Sequence, residues 1–174
     1  SKLATVTFSG NSKLRTIGNS AFQQTPLTAI TIPETVTTIG ENAFLGTTAL
    51  KRVTFAGTSR LTTIDNGVFQ NSGIRSISIP PSVTRIGDLA FYDTPNLSVV
   101  SFTGNSQLNL IGPSAFQSSR VLGSITIPAG VTALGNYAFY DASNLARVSF
   151  RGNAPATVGD SVFTHVASGA SAYV

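Results

Sequence analysis

Cysteine, methionine and tryptophan are absent from these 174 residues, and His165 is the only histidine. The missing cysteines exclude disulfide scaffolds, thiolate metal centres and thiol nucleophiles together. A lone histidine excludes a multi-histidine metal site. Charge is scarce as well, with 11 Lys and Arg against 7 Asp and Glu and a formal net charge of +4. The isoelectric point near 9.9 therefore rests on few, scattered bases, never three in succession. Nucleic-acid binders ordinarily carry a basic stripe with interleaved aromatics; that stripe is missing, and no nucleic-acid partner is expected. No apolar run approaches the roughly 18–20 residues of a membrane span, so no membrane insertion is expected either. What is present is 41% hydrophobic residues and a mean hydropathy of +0.21, too apolar for intrinsic disorder. The Ser/Thr-rich, sparsely charged remainder is common in extracellular proteins, which points to a secreted or cell-surface location. Because Ser1-Lys2-Leu3 already lies inside the pattern described next, the chain reads as part of a longer parent with other domains.

The pattern is a repeat. An x-Phe pair recurs as Ala21-Phe22, Ala43-Phe44, Val68-Phe69, Ala90-Phe91, Ala115-Phe116, Ala138-Phe139 and Val162-Phe163. Three residues before each pair stands Gly or Asp (Gly18, Gly40, Asp65, Gly87, Gly112, Gly135, Gly159), preceded by an aliphatic such as Ile17, Ile39 or Leu134. Each copy also carries L-x-x-[VI]-[TS]-[FI], from Leu3/Val6/Phe8 to Leu145/Val148/Phe150. A second level is superimposed. Odd copies read F-x-G, with Gly10, Gly57, Gly104 and Gly152, while even copies read I-P, with Pro33, Pro80 and Pro128. The array therefore looks built by duplicating a two-coil unit.

A period of 20–25 residues with this leucine spacing is a leucine-rich-repeat signature. Joined to x-I-G-x-x-[AV]-F and to I-P after the strand, it resembles the BspA-like (Treponema-type) leucine-rich-repeat family over residues 3–164. One departure stands out: the seventh copy has Ala154-Pro155-Ala156 where its relatives place Leu14, Leu61 or Leu108. The expected organisation is a solenoid over 1–164, its last coil degenerate, followed by a tail or linker over 165–174. The resemblance implies a non-catalytic bacterial surface module for adhesion or protein binding.

A single copy cannot bury its apolar face, so stacked neighbours must form the core. The expected fold is a mainly-β solenoid of about seven coils of 22–25 residues. Val6 and Phe8 and their equivalents point inward and Thr7 outward, in short parallel strands about 4.8 Å apart. The Gly or Asp before each x-Phe pair suits a tight turn of unusual backbone. The next residue (Asn19, Glu41, Asn66, Asp88, Pro113, Asn136 or Asp160) reads as a helix N-cap or first-turn residue. A one-turn helical or 3₁₀ segment is therefore expected around each pair, and the seven Phe form a buried spine.

The outward strand column is an unbroken hydroxyl ladder: Thr7, Thr31, Thr54, Ser78, Ser101, Thr126 and Ser149. Thr and Ser suit exposed strand positions beside neighbours of their own kind; the same ladder also serves as a polar recognition face, and less readily as an ice-binding array. Its flanks vary more, and discrimination must come from them. The candidate binding face is accordingly Arg52, Thr54, Val99, Ser101, Thr103, Arg147, Ser149 and Arg151, with a further basic cluster at Lys51, Arg52 and Arg75. Tyr92 and Tyr140, each followed by Asp (Asp93, Asp141), are lower-ranked candidates on the opposite edge.

Catalytic constellations fail in turn. Glycoside hydrolysis needs two carboxylates converging within about 5–10 Å, yet Glu34, Glu41, Asp65, Asp88, Asp93, Asp141 and Asp160 are scattered over five copies, mostly at turn or cap positions. A Ser-His-acid triad would have to use His165 in the irregular tail, and no phosphate-cradling glycine motif is present. No enzyme, cofactor or metal is expected. The remaining readings are a recognition module for a protein or glycan and, alternatively, a structural spacer projecting other domains from a cell wall.

Overall fold

A computed structural model describes residues 2–173; Ser1 and Val174, the outer limits of the two expected segments, lie outside it. In each coil the chain visits three stacked columns. The first column is a seven-stranded parallel sheet of two-residue strands: β1 (Thr16–Ile17), β3 (Thr38–Ile39), β5 (Thr63–Ile64), β7 (Arg85–Ile86), β9 (Leu110–Ile111), β11 (Ala133–Leu134) and β13 (Thr157–Val158). The second is the stack of turns around the x-Phe pairs. The third is the longer strands: β2 (Ala29–Ile32), β4 (Arg52–Phe55), β6 (Ser76–Ile79) and β8 (Val99–Phe102) in one sheet, β10 (Ser124–Ile127), β12 (Arg147–Phe150) and β14 (Ser171–Tyr173) in another. The parallel solenoid and the inward/outward alternation are as the repeat predicts: Ile30, Val53, Ile77, Val100, Ile125 and Val148 are buried.

The Phe spine is continuous. Rings 22, 44, 69, 91, 116, 139 and 163 stack at centroid separations of 5.0–5.6 Å. The five inner rings are fully buried, while Phe22 and Phe163 are partly exposed.

The helical segments are not there. Around each pair the backbone alternates its partners. The Ala21, Gln23 and Thr25 N–H groups donate back three residues within their own coil, while those of Ser20, Phe22 and Gln24 donate to carbonyls of Glu41, Ala43 and Leu45 in the next. A helix would need every N–H to stay within the segment. Residues at both ends, such as Ser20 (φ 54°) and Gln24 (φ 53°), or Leu89 (φ 58°) and Asp93 (φ 47°), are also left-handed, which stops helix propagation. The x-Phe segments are stacked turns, bonded laterally like a third sheet.

The expected N-caps have a different partner as well. Asn19, Asn66 and Asn136 accept through Oδ1 from the backbone N–H of Glu41, Asp88 and Asp160 in the following coil. These carboxamides lie over the glycine of that coil. A Cβ at Gly87 would come within 2.7 Å of Asn66 Oδ1 and 2.8 Å of its backbone nitrogen. Gly is therefore required here by close approach of the neighbouring coil, and not by the unusual backbone expected above: the positive-φ positions do not include Gly40, Gly87, Gly112, Gly135, Gly159 or Asp65.

The two-coil unit becomes a physical alternation. From even to odd coils the long strands pair over four residues each: β2 with β4, β6 with β8, and β10 with β12. There the residue after the odd strand donates to the even strand's last carbonyl, as Ala56 to Ile32, Thr103 to Ile79 and Arg151 to Ile127. From odd to even coils the equivalent donor would be Pro80 or Pro128, which has no N–H. There β4 and β6 keep one registered pair, Arg52 with Ser76, and β8 and β10 belong to separate sheets. Two residues after the proline a hydroxyl partly restores the link: Thr35 donates to the Ser12 and Leu14 carbonyls, and Ser82 to those of Ser59 and Leu61. The third unit has Gly130 at that place, and that is where the sheet divides. Val6-Thr7-Phe8, expected as a strand, forms none, although Thr35 bridges that step.

Within 165–174, read above as tail or linker, β14 pairs in parallel with β12, setting Ser149 opposite Tyr173.

Candidate binding face

The outer surface of the long strands holds four grooves. A groove of about 950 Å³ is lined by Val6, Phe8, Thr31, Glu34, Arg52 and Thr54. A second, of about 500 Å³, lies between Arg52, Thr54, Ser78, Pro80, Pro81 and Thr103. A third, of about 230 Å³, includes Val99, Ser101, Thr126 and Arg151. A fourth, of about 430 Å³, gathers Lys51, Arg52 and Arg75 with Ala29 and Ser76. Arg52 lines three of the four because β4 sits where the first two units meet.

The expected face is thus distributed over the long strands of coils three, five and seven. Arg52, Thr54 and Val99 are exposed, Val99 to 52%. Ser101 is half-buried and shares a 3.0 Å hydrogen bond with Ser78 in the hydroxyl ladder. Thr103 Oγ1 donates to the Ile79 carbonyl at 3.1 Å, fixing that groove wall. Arg147 and Arg151 are exposed on either side of half-buried Ser149. Arg147 lies over the Tyr173 ring at 5.6 Å. Tyr173 occupies the ladder column without belonging to the Ser/Thr pattern, so the repeat gave no signal for it.

On the turn edge Tyr92 and Tyr140 are both half-buried, but their surroundings differ. Tyr140 meets Tyr137 and His165 edge to face, at 5.6 and 5.0 Å. Its neighbour Asp141 accepts from Arg120 Nη2 at 2.8 Å and Nε at 3.1 Å. That hydrogen bond and the carboxylate's charge raise the Arg120 guanidinium above its ordinary value, with a small contribution from Asp93. The two Tyr-Asp pairs are therefore not equivalent, since only Asp141 has an ion-pair partner among the described residues.

Three of the remaining acids have partners in the coil stack. Asp88 pairs with Arg85 at 3.1 Å, Asp65 accepts from the Asn66 N–H, and Glu41 accepts from Asn66 Nδ2 at 3.4 Å. Among the described residues no three of His, Asp and Glu gather closely enough to hold a metal ion. Thermal melts with and without a chelator should therefore overlay; a midpoint several degrees lower in chelator would reveal a cation among the turn aspartates.

One column escaped the sequence reading. Thr25, Thr47, Ser72, Thr94 and Ser119 are buried, and the Thr25, Thr47 and Thr94 hydroxyls donate to the carbonyl of the spine Phe three residues earlier. The signal was available, because Ser or Thr follows Phe at that spacing in five successive copies.

Comparison with known proteins agrees with this geometry. Residues 1–98 and 62–170 match the BspA type leucine rich repeat region, in six copies. The pneumococcal vaccine antigen PcpA superposes with a TM-score of 0.76 at 28% identity, over 79% of this chain and 36% of that protein. A leucine rich cell surface protein from Faecalibacterium prausnitzii follows at 0.55 and 27%, over 86% of this chain and 46% of the other. The leucine rich repeat protein of T. pallidum shares the fold at 22% identity and a TM-score of 0.56, over 87% of this chain and 70% of its own. The chain spans less than half the length of the first two. No curated protein matches it in sequence. With both halves of the motif in register and its copies stacked as one solenoid, the chain belongs to the BspA-type leucine-rich-repeat family.

Proposed function

We propose that this chain is a non-catalytic recognition segment of a bacterial cell-surface protein, binding a partner through its long-strand face. The observation that carries the reading is the placement of these four grooves on that face, with Arg52 in three of them. Arg52, Val99, Arg147 and Arg151 are exposed there and free of core duty. The structural neighbours described as a vaccine antigen and as a cell surface protein support the location.

Arrays of extracellular proteins and glycans, probed with the labelled chain, provide the test. Binding to any hit should be lost on Arg52→Glu or Arg147→Glu, since Arg is a frequent hot-spot residue. It should survive Glu41→Lys and Asp88→Lys, with melting curves confirming that each variant is folded. The reverse outcome would move recognition to the turn edge near Tyr92 and Tyr140. A chain that binds nothing on either array would instead be a spacer.

A further inference from the structure

Acids, unlike bases, are largely confined to the short-strand and turn side of the solenoid, where Arg15, Arg85 and Arg120 also lie. Glu41, Asp65, Asp88 and Asp160 follow the short strands, and Asp93 and Asp141 lie in the turn stack. The long strands and the residues flanking them hold Lys51, Arg52, Arg75, Arg147 and Arg151, all exposed. The nearest acid on that side is Glu34, at the rim of the first groove. Ion pairs among the described residues engage only Arg85 with Asp88 and Arg120 with Asp141, so these five cations have no carboxylate partner there. Like charges gathered with Glu34 as their one nearby counter-charge still make a net positive field that attracts an anionic ligand and speeds its encounter.

The five fall into two groups. Lys51, Arg52 and Arg75 share one groove on coils three and four, while Arg147 opens β12 and Arg151 follows it on coil seven. Four coil steps of about 4.8 Å separate Arg52 from Arg147, roughly 19 Å. About six residues of extended polypeptide cover that distance. Between the groups the surface is uncharged, with Ser78, Ser101 and Thr126 beside Val99, which is 52% exposed. Four of the five cations are Arg, whose planar fork matches carboxylate geometry. Tyr173 lies beneath Arg147 and steadies its guanidinium by cation–π attraction, leaving the N–H edge free.

We infer that the long-strand face takes an extended acidic polypeptide segment. Its carboxylates meet Lys51, Arg52 and Arg75 at one end and Arg147 and Arg151 at the other, and an apolar side chain lies on Val99 between them. A sulfated polysaccharide fits less well, because its charge is continuous along the chain and it offers no apolar side chain to Val99. The inference rests on the proposed recognition role and adds the chemical class of the partner.

The test uses a fluorescein-labelled nonapeptide, Glu-Asp-Glu-Val-Leu-Val-Glu-Asp-Glu, whose acidic ends are centred six residues apart. Its amide counterpart (Gln and Asn replacing the acids) and a labelled heparin oligosaccharide are measured alongside. The acidic peptide should bind, weaken steeply with added salt as screening shortens the field, and outrank both comparators. Arg52→Glu, Arg147→Glu and Val99→Asp should each weaken it by about tenfold, while Arg52→Lys keeps most of the binding and all variants melt like the parent. If the amide peptide binds equally and still depends on Val99, the face binds but the acidic class is wrong. If heparin binds more tightly than the peptide, a polyanionic glycan takes its place. Binding that ignores all three substitutions would overturn both this inference and the strand-face reading, and no binding of the acidic peptide at all would overturn the inference.

Discussion

Phe91→Ala should destabilise the chain by about 3–5 kcal/mol, the usual cost of truncating a fully buried Phe. Phe91 has no exposed surface and stacks between Phe69 at 5.4 Å and Phe116 at 5.0 Å. Its loss therefore opens a cavity and breaks two coil-to-coil contacts at once. In a solenoid each coil is held chiefly by its neighbours, so the defect weakens cooperativity between the halves as well as local packing. Tyr92→Ala, beside it but half-buried, should cost under about 1.5 kcal/mol. Phe22→Ala should fall between them, since that ring is partly exposed and stacks on Phe44 alone among the described rings. Denaturant melts of the three variants check the order. Equal losses for Phe91 and Tyr92 would mean that the inward and outward positions are misassigned.

Gly87→Ala should be the next most damaging, at about 1–3 kcal/mol, because overpacking against backbone leaves few ways to relax. Its Cβ would come within 2.8 Å of the Asn66 nitrogen and of the Asp65 carbonyl carbon. Neither can swing aside without shifting the coil. The Asn66 carboxamide would also have to leave its hydrogen bond to the Asp88 N–H. Gly18→Ala is the internal control, since a Cβ there meets nothing within 4 Å. At that position the substitution should be neutral, or stabilising by up to about 1 kcal/mol through the unfolded chain. Thermal melts of the two alanine variants separate close approach from backbone conformation: a requirement for unusual backbone would make both costly.

The candidate face was partly legible before the structure. Arg52, Val99 and Arg147 stand out as variation against a uniform ladder, and a repeat shows which positions are free to vary. That these positions flank grooves, and that Lys51 and Arg75 close one of them around Arg52, depends on lateral stacking across coils. Tyr173 was out of reach. Its coil has Gly169 and Ala172 at the places of Leu145 and Val148, so the motif is gone while the strand pairing remains.

The sequence by itself determined the solenoid, the length of its repeat, the inward column of Ile, Val and Phe, and the Phe spine. It could do so because each of these depends on a side chain recurring at a fixed interval, and burial selects the same chemistry in every coil. Only the tertiary structure decided where the backbone hydrogen bonds go. Residues 18–25 form stacked turns and not a helical turn, because alternate N–H groups find acceptors more than twenty residues away. Gly40, Gly87 and Gly159 answer to an asparagine of the previous coil, and the prolines of the I-P motif mark where strand pairing lapses. Those outcomes depend on which atom of one coil faces which atom of the next, and a periodic sequence specifies that relation only once the coils have stacked.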